Sequence, residues 1–340
     1  MAWFENEGRS PQFAIYSQTS YKRNAAGLPF PKHCAPAELC ALTDRIDKLL
    51  SNNGFWRESV PDGDSAQLNA LAEKGYIDRD MLSPTDKRAI YFNEPCSLAV
   101  SVGGKDLITV RSLLAGAAIA DSRNIASGAE ELLDREIEFA YSDALGYVAS
   151  SPALCGSGVE FSALLFLPSL SLTDEAEDDL RLQLARLGAV IYPTFSASGN
   201  PGDTYIVSHS PSHLSREAAA AEGFDRIIAA LITRESDKLR YVNHKEAVGS
   251  ALEAYGAIKY AEALSEVSLL RHLSRLRLGL ICSGGKLQKL PHLSYTALNT
   301  SLGRCLSASV ITECGACATE EECNAHRARL ASSILSAGEA

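Results

Sequence analysis

The sequence lacks long apolar runs, and its strongest candidate, Ala163 to Leu172, is interrupted by Pro168. That run is far shorter than a membrane-spanning helix, which needs about 20 apolar residues. The N-terminal stretch from Met1 to Glu7 also lacks the basic and apolar regions of a secretory signal peptide. We therefore expect a soluble protein in the cytoplasm.

Positive charge is also scarce, because 32 Lys and Arg face 42 Asp and Glu, which gives a net charge of −10. Binding to a nucleic-acid backbone depends on Lys and Arg that displace counterions, so this balance argues against nucleic-acid binding as the main function. Low-complexity segments are absent, and 46% hydrophobic with 22% charged residues is ordinary for a packed protein. A chain of 340 residues can form two domains, each with its own core.

Nine cysteines in a chain without a signal peptide favour reduced thiols over a disulfide framework. The last three form the pattern C-x2-C-x5-C-x2-H with Cys314, Cys317, Cys323 and His326, which are the residue types of a structural zinc site. Thr319 and the glutamates after it predict a helix start that places Cys323 and His326 on one face. Buried reduced cysteines, or a Cys314–Cys317 redox pair, are the alternatives.

Hydrophobic periodicity predicts an α+β chain. The predicted helices span Pro36–Leu50, Ala129–Leu145 and Asp174–Leu187, and helical patterns follow residue 212, as in Ile258–Leu278. The predicted strands are Arg88–Phe92, Leu98–Val102, Leu107–Val110, Val159–Leu167, Ala189–Phe195 and Thr204–Ser208, and Asn52–Ser65 reads as a loop.

Four segments resemble, in order, the catalytic motifs of the ATP:guanido phosphotransferases, the guanidino or phosphagen kinases. The most specific runs from Phe139 to Ala163 and is similar to the family pattern LGYLTSCPTNxGTGLRAS. Gly256–Ala261 and Leu276–Leu280 resemble the helical domain of bacterial protein-arginine kinases. The resemblance implies an antiparallel sheet flanked by helices, a glutamine-synthetase-like catalytic core, over residues 1–211. It also implies an α-helical C-terminal domain over residues 212–340, with a Cys-rich segment at 312–326, that takes part in dimer contacts.

Family members hold the phosphates of ATP with arginines, and these positions have changed in this chain. The pattern STRxRxxRN aligns so that only Arg23 and Asn24 agree, which leaves Arg23 as a residual nucleotide contact. The five family arginine positions that have been replaced read Gln18, Ser20, Thr109, Glu160 and Tyr192.

The positions that would activate the guanidinium have changed as well. Lys105 stands at the catalytic glutamate of the pattern VNEEDHLRI, Ser151 at the cysteine, and Ala197 at the second glutamate. A guanidinium has a pKa above about 12, so catalysis requires carboxylates that orient it and take its proton. Lys105 instead faces the substrate with a like charge.

We therefore predict a pseudokinase that no longer binds Mg-ATP and that works through a protein partner. That partner would be an active protein-arginine kinase or its zinc-binding adaptor in bacterial proteostasis, with the chain itself in a homodimer or heterodimer. The alternative is a diverged but active kinase that recruits cations from elsewhere, for which the candidates are Lys22, Arg23, Arg111 and His209. The family's phosphoarginine-reading pattern RDxxRA is also degenerate, because it reads Cys323 to Ala328 and keeps only Arg327 and Ala328.

Overall fold

The computed structural model describes residues 2–59, 65–82, 88–172, 174–195, 198–211, 216–315 and 318–337. The strands are β1 (Ala14–Arg23), β2 (Phe55–Arg57), β3 (Ala89–Asn93), β4 (Leu98–Val102), β5 (Ile108–Ala115), β6 (Tyr141–Ser142), β7 (Gly146–Tyr147), β8 (Val159–Phe166), β9 (Ala189–Pro193) and β10 (Thr204–His209). The helices are α1 (Pro36–Asn52), α2 (Ser65–Glu73), α3 (Ile119–Asp134), α4 (Asp174–Arg186), α5 (Glu217–Leu239), α6 (His244–Lys259), α7 (Glu266–Cys282), α8 (Tyr295–Arg304), α9 (Ser307–Cys314) and α10 (Glu320–Leu335).

Within the described residues, eight strands form one antiparallel sheet in the order β2-β3-β4-β5-β1-β8-β10-β9, and β6 and β7 form a small separate hairpin. β1 lies at the centre, paired with β5 on one side and β8 on the other. The α+β class and the antiparallel sheet flanked by helices are therefore confirmed.

Two hydrophobic cores lie on the two faces of this sheet. On one face, α1, α3, α4 and α5 pack over residues such as Val110, Phe161 and Val207. On the other face, α2 and the C-terminal helices α6, α7, α8 and α10 pack over Leu113, Leu164 and other apolar residues at one end of the strands. Because strand side chains alternate between faces, one strand can serve both cores.

The division at residues 211 and 212 stays a prediction, and residues 212–215 lie outside the described part of the chain. The first helix after it, α5, packs on the sheet with α3 through Ala221, Phe224 and Ile228. The remaining helices, from α6 onward, contribute mainly to the second core.

Three local predictions were wrong. The helix predicted at Ala129–Leu145 is α3, which begins ten residues earlier and ends at Asp134 before the β6–β7 hairpin. The predicted loop Asn52–Ser65 contains β2, an edge strand paired with β3. The helical stretch Ile258–Leu278 is broken between α6 and α7, where Ser265 caps α7 by accepting a hydrogen bond from the Ser268 backbone N–H at 3.2 Å.

Candidate functional site

One half of a sheet face is lined by polar side chains. Tyr21 points to the α5 side, where its hydroxyl donates to Glu217 at 3.0 Å, so its neighbours Ser20 and Lys22 lie on the opposite face. In the strand register Ser20 lies between Arg111 of β5 and Glu160 of β8. We call this region the polar face, and it continues the face whose other end is covered by the C-terminal helices.

Asp78 closes the polar face from above the sheet. It follows α2 in sequence, and its carboxylate accepts hydrogen bonds from both the Lys22 ammonium and the Arg111 guanidinium. The ammonium of Lys22 also donates to the Thr109 hydroxyl at 3.3 Å. Burial alone would raise the pKa of Asp78, but the charges of Arg111 and Lys22 hold that pKa well below its usual range. The two cations of this face are therefore already paired with a carboxylate of the chain itself.

Closure by Asp78 leaves little access to the sheet surface. Ser20 is completely buried, and Thr109 and Arg111 are nearly so. The Ser20 hydroxyl and the Arg111 Nε find no hydrogen-bond partner among the described residues. A side chain as long as arginine at position 20 would therefore have to displace Asp78 or its neighbours.

The five positions predicted from the family's phosphate-binding arginines all lie on the polar face or at its margin, on β1, β5, β8 and β9: Gln18, Ser20, Thr109, Glu160 and Tyr192. Tyr192 is half-exposed. Its pKa is raised mainly by burial, and the negative charges of Glu160 and Asp78 raise it further. A carboxylate at position 160, where the family pattern has an arginine, would oppose a polyphosphate.

Two of the positions aligned with the family's catalytic groups, Lys105 and Ser151, lie in loops next to this face. Lys105 is exposed in the turn between β4 and β5, and its backbone N–H donates to Asp80 at 2.8 Å. The following residue, Asp106, accepts hydrogen bonds from the N–H of Ser150 at 2.6 Å and from its hydroxyl at 2.8 Å. Ser151 follows directly, so this network holds the Lys105 and Ser151 segments together. Ala197 lies outside the described residues.

Arg23 lies on the face opposite the polar face. Its Nε donates to the Glu130 carboxylate at 2.7 Å, and its Nη1 donates to the carbonyl of Ser157 at 3.1 Å. Its guanidinium also stacks on the Tyr147 ring, 3.7 Å from the ring centre. This placement argues against the residual nucleotide contact that the motif predicts for Arg23, because the side chain instead fixes α3 and the third-motif segment.

Of the four cations proposed for a diverged enzyme, only Lys22 and Arg111 lie on the polar face, and both contact Asp78. His209 lies at the end of β10, where its ring stacks on Phe224 on the other face. Sequence reasoning missed Asp78 because it belongs to no motif and lies 56 residues from Lys22 along the chain. No local pattern links the two.

The zinc hypothesis stays a prediction, since Cys317 lies outside the described residues. The helix start at Thr319 is confirmed, with a reciprocal cap between Thr319 and Glu322. Burial and the neighbouring Cys323 raise the pKa of the Cys314 thiol, which indicates that these two sulfurs lie close together. His326 instead contacts Glu313 at 3.0 Å, and no group of three potential ligands occurs in the part of the chain that the structure describes.

The remnant of the phosphoarginine-reading pattern has a structural role. Arg327 is buried and donates to the carbonyls of Cys305 at 2.8 Å and Leu264 at 2.9 Å. Its Nη2 donates to the Ser307 hydroxyl at 3.1 Å. The guanidinium thereby joins α10 to the starts of α7 and α9, and its donors already serve groups of the chain itself.

The fold, the order of the motifs and the position of the polar face define a class of protein. The family model of the ATP:guanido phosphotransferase C-terminal catalytic domain matches residues 55–238, more than half of the chain. The chain therefore belongs to the ATP:guanido phosphotransferase family. None of the helices in the described ranges combines the length and apolar composition needed to cross a bilayer.

Within this family the chain is similar to protein-arginine kinases of bacteria. It is 23% identical over 288 residues to that of Pelotomaculum thermopropionicum, covering 82% of this chain and 81% of the relative. It is 24% identical over 350 residues to that of Symbiobacterium thermophilum, covering 98% and 96%.

Solved structures show the same fold. The substrate-free duplicated taurocyamine kinase from Schistosoma mansoni matches with a TM-score of 0.56 at 19% identity, over 68% of this chain. The match spans only 33% of that duplicated protein. Lombricine kinase matches with a TM-score of 0.52 at 19% identity, over 66% of each chain.

Proposed function

We propose that this chain is a catalytically inactive member of its family that works by binding a protein partner. The observation that carries the proposal is the pairing of Asp78 with both Lys22 and Arg111. Phosphoryl transfer from ATP relies on cations that neutralise the phosphates and the charge that develops in transfer. On the polar face those cations are engaged with an internal carboxylate.

The phosphate side would also be repulsive. Glu160 stands in register beside Ser20, at the centre of the sheet, where a family arginine is expected. Removal of one preorganised donor typically costs about 10²–10³ in rate, and here several positions are changed together. Such losses are not additive, so they indicate that the reaction rate falls but do not give the rate that remains.

At the position that would contact the substrate guanidinium, the charge is reversed in the opposite sense, from negative to positive. Lys105 is exposed in its turn, where its own N–H donates to Asp80 and the side chain of the next residue, Asp106, accepts from the Ser150 N–H. A substrate arginine that approached this turn would meet an ammonium in place of a carboxylate. Like charges in contact cost several kcal/mol, so both halves of the reaction are disfavoured by charge.

A binding role is supported by what the fold retains. The sheet, the loop network around Asp106 and the helical layer are intact, while the altered positions concentrate where a ligand would contact the polar face. Since its relatives are protein-arginine kinases, we propose as partner an active kinase of this type or its zinc-binding adaptor in bacterial proteostasis. The chain would act as a regulatory subunit there.

The test combines nucleotide binding with product detection. Calorimetry and thermal unfolding are measured with Mg-ATP, and radiolabelled ATP is supplied with an arginine-rich protein. The protein-arginine kinase of Symbiobacterium thermophilum serves as the positive control. We expect no acid-labile phosphoarginine. We also expect Mg-ATP to shift the unfolding temperature by less than about 1 °C, whereas a chain that bound Mg-ATP would be stabilised by about 2.7 kcal/mol at a concentration of 100 times Kd.

Asp78→Asn is the informative variant, because it releases Lys22 and Arg111 while keeping the size of the side chain. It should bind ATP or inorganic phosphate more tightly than the unaltered chain. Equal affinity in the two proteins would show that Asp78 does not block the face. Phosphoarginine formed by the unaltered chain would establish the diverged active kinase instead, whatever the variant does.

A further inference from the structure

A groove with a volume of about 660 Å³ lies along α5, on the face of the sheet opposite the polar face. One wall is α5 itself, and the other is formed by His209 at the end of β10 and Leu187 in the turn between α4 and β9. Phe224 of α5, which is buried, forms part of the floor. We call this the α5 groove.

The α5 wall carries small side chains at helical spacing. Those that line the groove are Ala219, Ala220, Gly223 and Ala230, which share one side of the helix. The distance between packed helices depends on the side chains at their contact, so small ones let a second helix approach closely. The lining part of α5, positions 216 to 230, rises about 21 Å at 1.5 Å per residue. The α5 groove can therefore hold about four turns of a helix.

The charge of the α5 groove is positive, although the net charge of the chain is −10. Arg216, Arg226 and His209 line it, and none of its lining residues is acidic. Both arginines are exposed. Within the described part of the chain, neither arginine forms an ion pair. Their charges are thus available to carboxylates of another molecule.

The walls of the groove favour a helix over an extended segment. An extended segment binds by adding a strand to a free sheet edge. The strand next to the groove, β10, is already paired with β8 on one side and with β9 on the other. An occupant is therefore recognised through side chains, as amphipathic helices are in apolar grooves. A lipid surface suits the site less well, because membrane binding requires an apolar face that can enter the bilayer, and this site is concave.

We propose that the α5 groove binds an acidic amphipathic helix of a partner protein. Apolar side chains of that helix, spaced three and four residues apart, pack over Phe224 and Ile227. Its Asp and Glu side chains pair with Arg216 and Arg226 at the margin. Charge complementarity selects an acidic partner, since apolar surface alone would accept a helix of either charge. The inference rests on the proposed binding function and names the surface that performs it.

The test measures the binding of a synthetic probe by fluorescence anisotropy. The probe is a labelled peptide of about 18 residues, five helical turns, with leucines on one face and glutamates beside them. One control peptide has the same composition in scrambled order, and the other has lysine in place of each glutamate. The glutamate peptide should bind at least about 10-fold more tightly than either control, because only it combines the apolar face with the complementary charge.

Two variants separate the charge of the groove from its shape. The double variant Arg216→Glu and Arg226→Glu should bind the glutamate peptide at least about 10-fold more weakly and should bind the lysine peptide instead. Gly223→Leu keeps the charge but fills the groove, and it should weaken binding similarly. A Cβ at Gly223 would lie 3.8 Å from the Arg226 Nη2, an ordinary contact, and leucine favours a helix more than glycine does. Loss of binding in this variant is therefore not due to misfolding.

A matched control carries Arg271→Glu and Arg275→Glu, the same charge change at exposed positions of α7. It should bind the glutamate peptide as the unaltered chain does, and circular dichroism should show that all three variants are folded. The proposal is overturned if the glutamate peptide does not bind, if its scrambled form binds equally well, or if either groove variant binds like the unaltered chain. Binding of anionic lipid vesicles, or self-association, that the groove variants abolish while the peptide fails to bind would also overturn it.

These outcomes are distinguishable from failure of the proposed function, because the polar face lies on the other side of the sheet. If the peptide does not bind, the α5 groove is removed as the partner site, and the nucleotide and phosphoarginine measurements are unaffected. Phosphoarginine formed by the unaltered chain would overturn the proposed function, whereas the peptide affinities would still report on the groove.

Discussion

The guanidinium of Arg23 and the carboxylate of Glu130 form a buried ion pair that joins the central strand β1 to α3. The donor and acceptor atoms are 2.7 Å apart, and the Arg23 side chain is almost completely enclosed. Burial raises the pKa of Glu130, although the charge of Arg23 and its hydrogen bond act in the opposite direction. Loss of Glu130 would leave the Arg23 charge enclosed without its counter-charge, hydrogen-bonded among the described residues only to backbone carbonyls and stacked on aromatic rings.

Glu130→Ala is therefore expected to lower the free energy of unfolding by about 3–5 kcal/mol, the usual cost of an uncompensated buried charge. Urea unfolding followed by circular dichroism measures this change. Asp121→Ala is the control, because Asp121 forms an exposed pair with Arg9 at 2.8 Å and should cost at most about 1 kcal/mol. Similar losses in the two variants would contradict the assigned role of Glu130.

The pH dependence of stability should report on Asp78. Its pKa is lower in the folded chain than in the unfolded chain, where it is about 3.9, so ionised Asp78 stabilises the fold at neutral pH. That contribution is lost as the pH falls below about 5 toward the depressed folded value. Unfolding curves between pH 7 and 3 should therefore decline less steeply for Asp78→Asn than for the unaltered chain, and parallel curves would count against this pairing.

Reintroduction of family residues should fail for two different reasons. Lys105→Glu changes an exposed side chain, so stability should stay within about 0.5 kcal/mol, yet no phosphoarginine should form. Ser20→Arg inserts a long cation into a closed region beside Lys22 and Arg111, and it should destabilise by at least about 1–3 kcal/mol. Thermal unfolding and the labelled-ATP assay measure both, and activity from Lys105→Glu alone would refute the claim that the pairing of Asp78 with Lys22 and Arg111 keeps Mg-ATP off the polar face.

The contact between α6 and α7 depends on a glycine. A Cβ atom at Gly279 would lie 2.3 Å from the Cβ of Ala251, so Gly279→Ala should cost about 1–3 kcal/mol through overpacking. Gly249→Ala on α6 is the matched control, because a Cβ there meets nothing within 4 Å and alanine favours a helix by up to about 1 kcal/mol. The two variants should shift the unfolding midpoint in opposite directions.

The four-ligand zinc hypothesis makes a separate prediction for Cys314, Cys317, Cys323 and His326. It requires about one zinc per chain, and Cys314→Ser should lower that content because a structural site rarely tolerates the loss of one thiolate. Elemental analysis by mass spectrometry on chain purified without added metal gives the measurement. Equal zinc content in the two proteins would remove the site from consideration.

Local patterns predicted those elements whose signals lie within the element. The helix α1 begins at Pro36 as expected, since proline favours the first turn and Glu38 caps it by accepting a hydrogen bond from the Ala35 N–H at 3.0 Å. The strand β4 has the predicted bounds because its short β-rich run stands between turn residues. Such signals need no knowledge of the rest of the chain.

The start of α3 could not be predicted in this way. The N–H groups of Ile119 and Ala120 donate to the carboxylate of Asp225 at 3.1 and 3.0 Å, and Asp225 lies on α5, more than 100 residues away. The apolar pattern also continued past the true end of α3, because Ile137 is buried outside any helix. Both errors arise from tertiary contacts.

The candidate site shows the same limit. The motif register predicted the positions that lie on the polar face, from Gln18 to Tyr192, because side-chain alternation carries each aligned residue to a definite face. Asp78 could not be found, since its role depends on how the segment after α2 lies over the sheet. Residue identity alone predicts a changed site, and the fold adds the contact of Asp78 with the two cations Lys22 and Arg111.

Asn24 shows that part of a catalytic motif can have a purely structural role. Its amide donates to Asp106 at 2.7 Å and to the Val148 carbonyl at 3.0 Å, and its side-chain oxygen accepts from the Leu107 N–H at 2.8 Å. The residue thus fastens three segments at one corner of the sheet. A substitution there would impair folding whether or not the protein binds a nucleotide, so the presence of Asn24 in the motif is no evidence of catalysis.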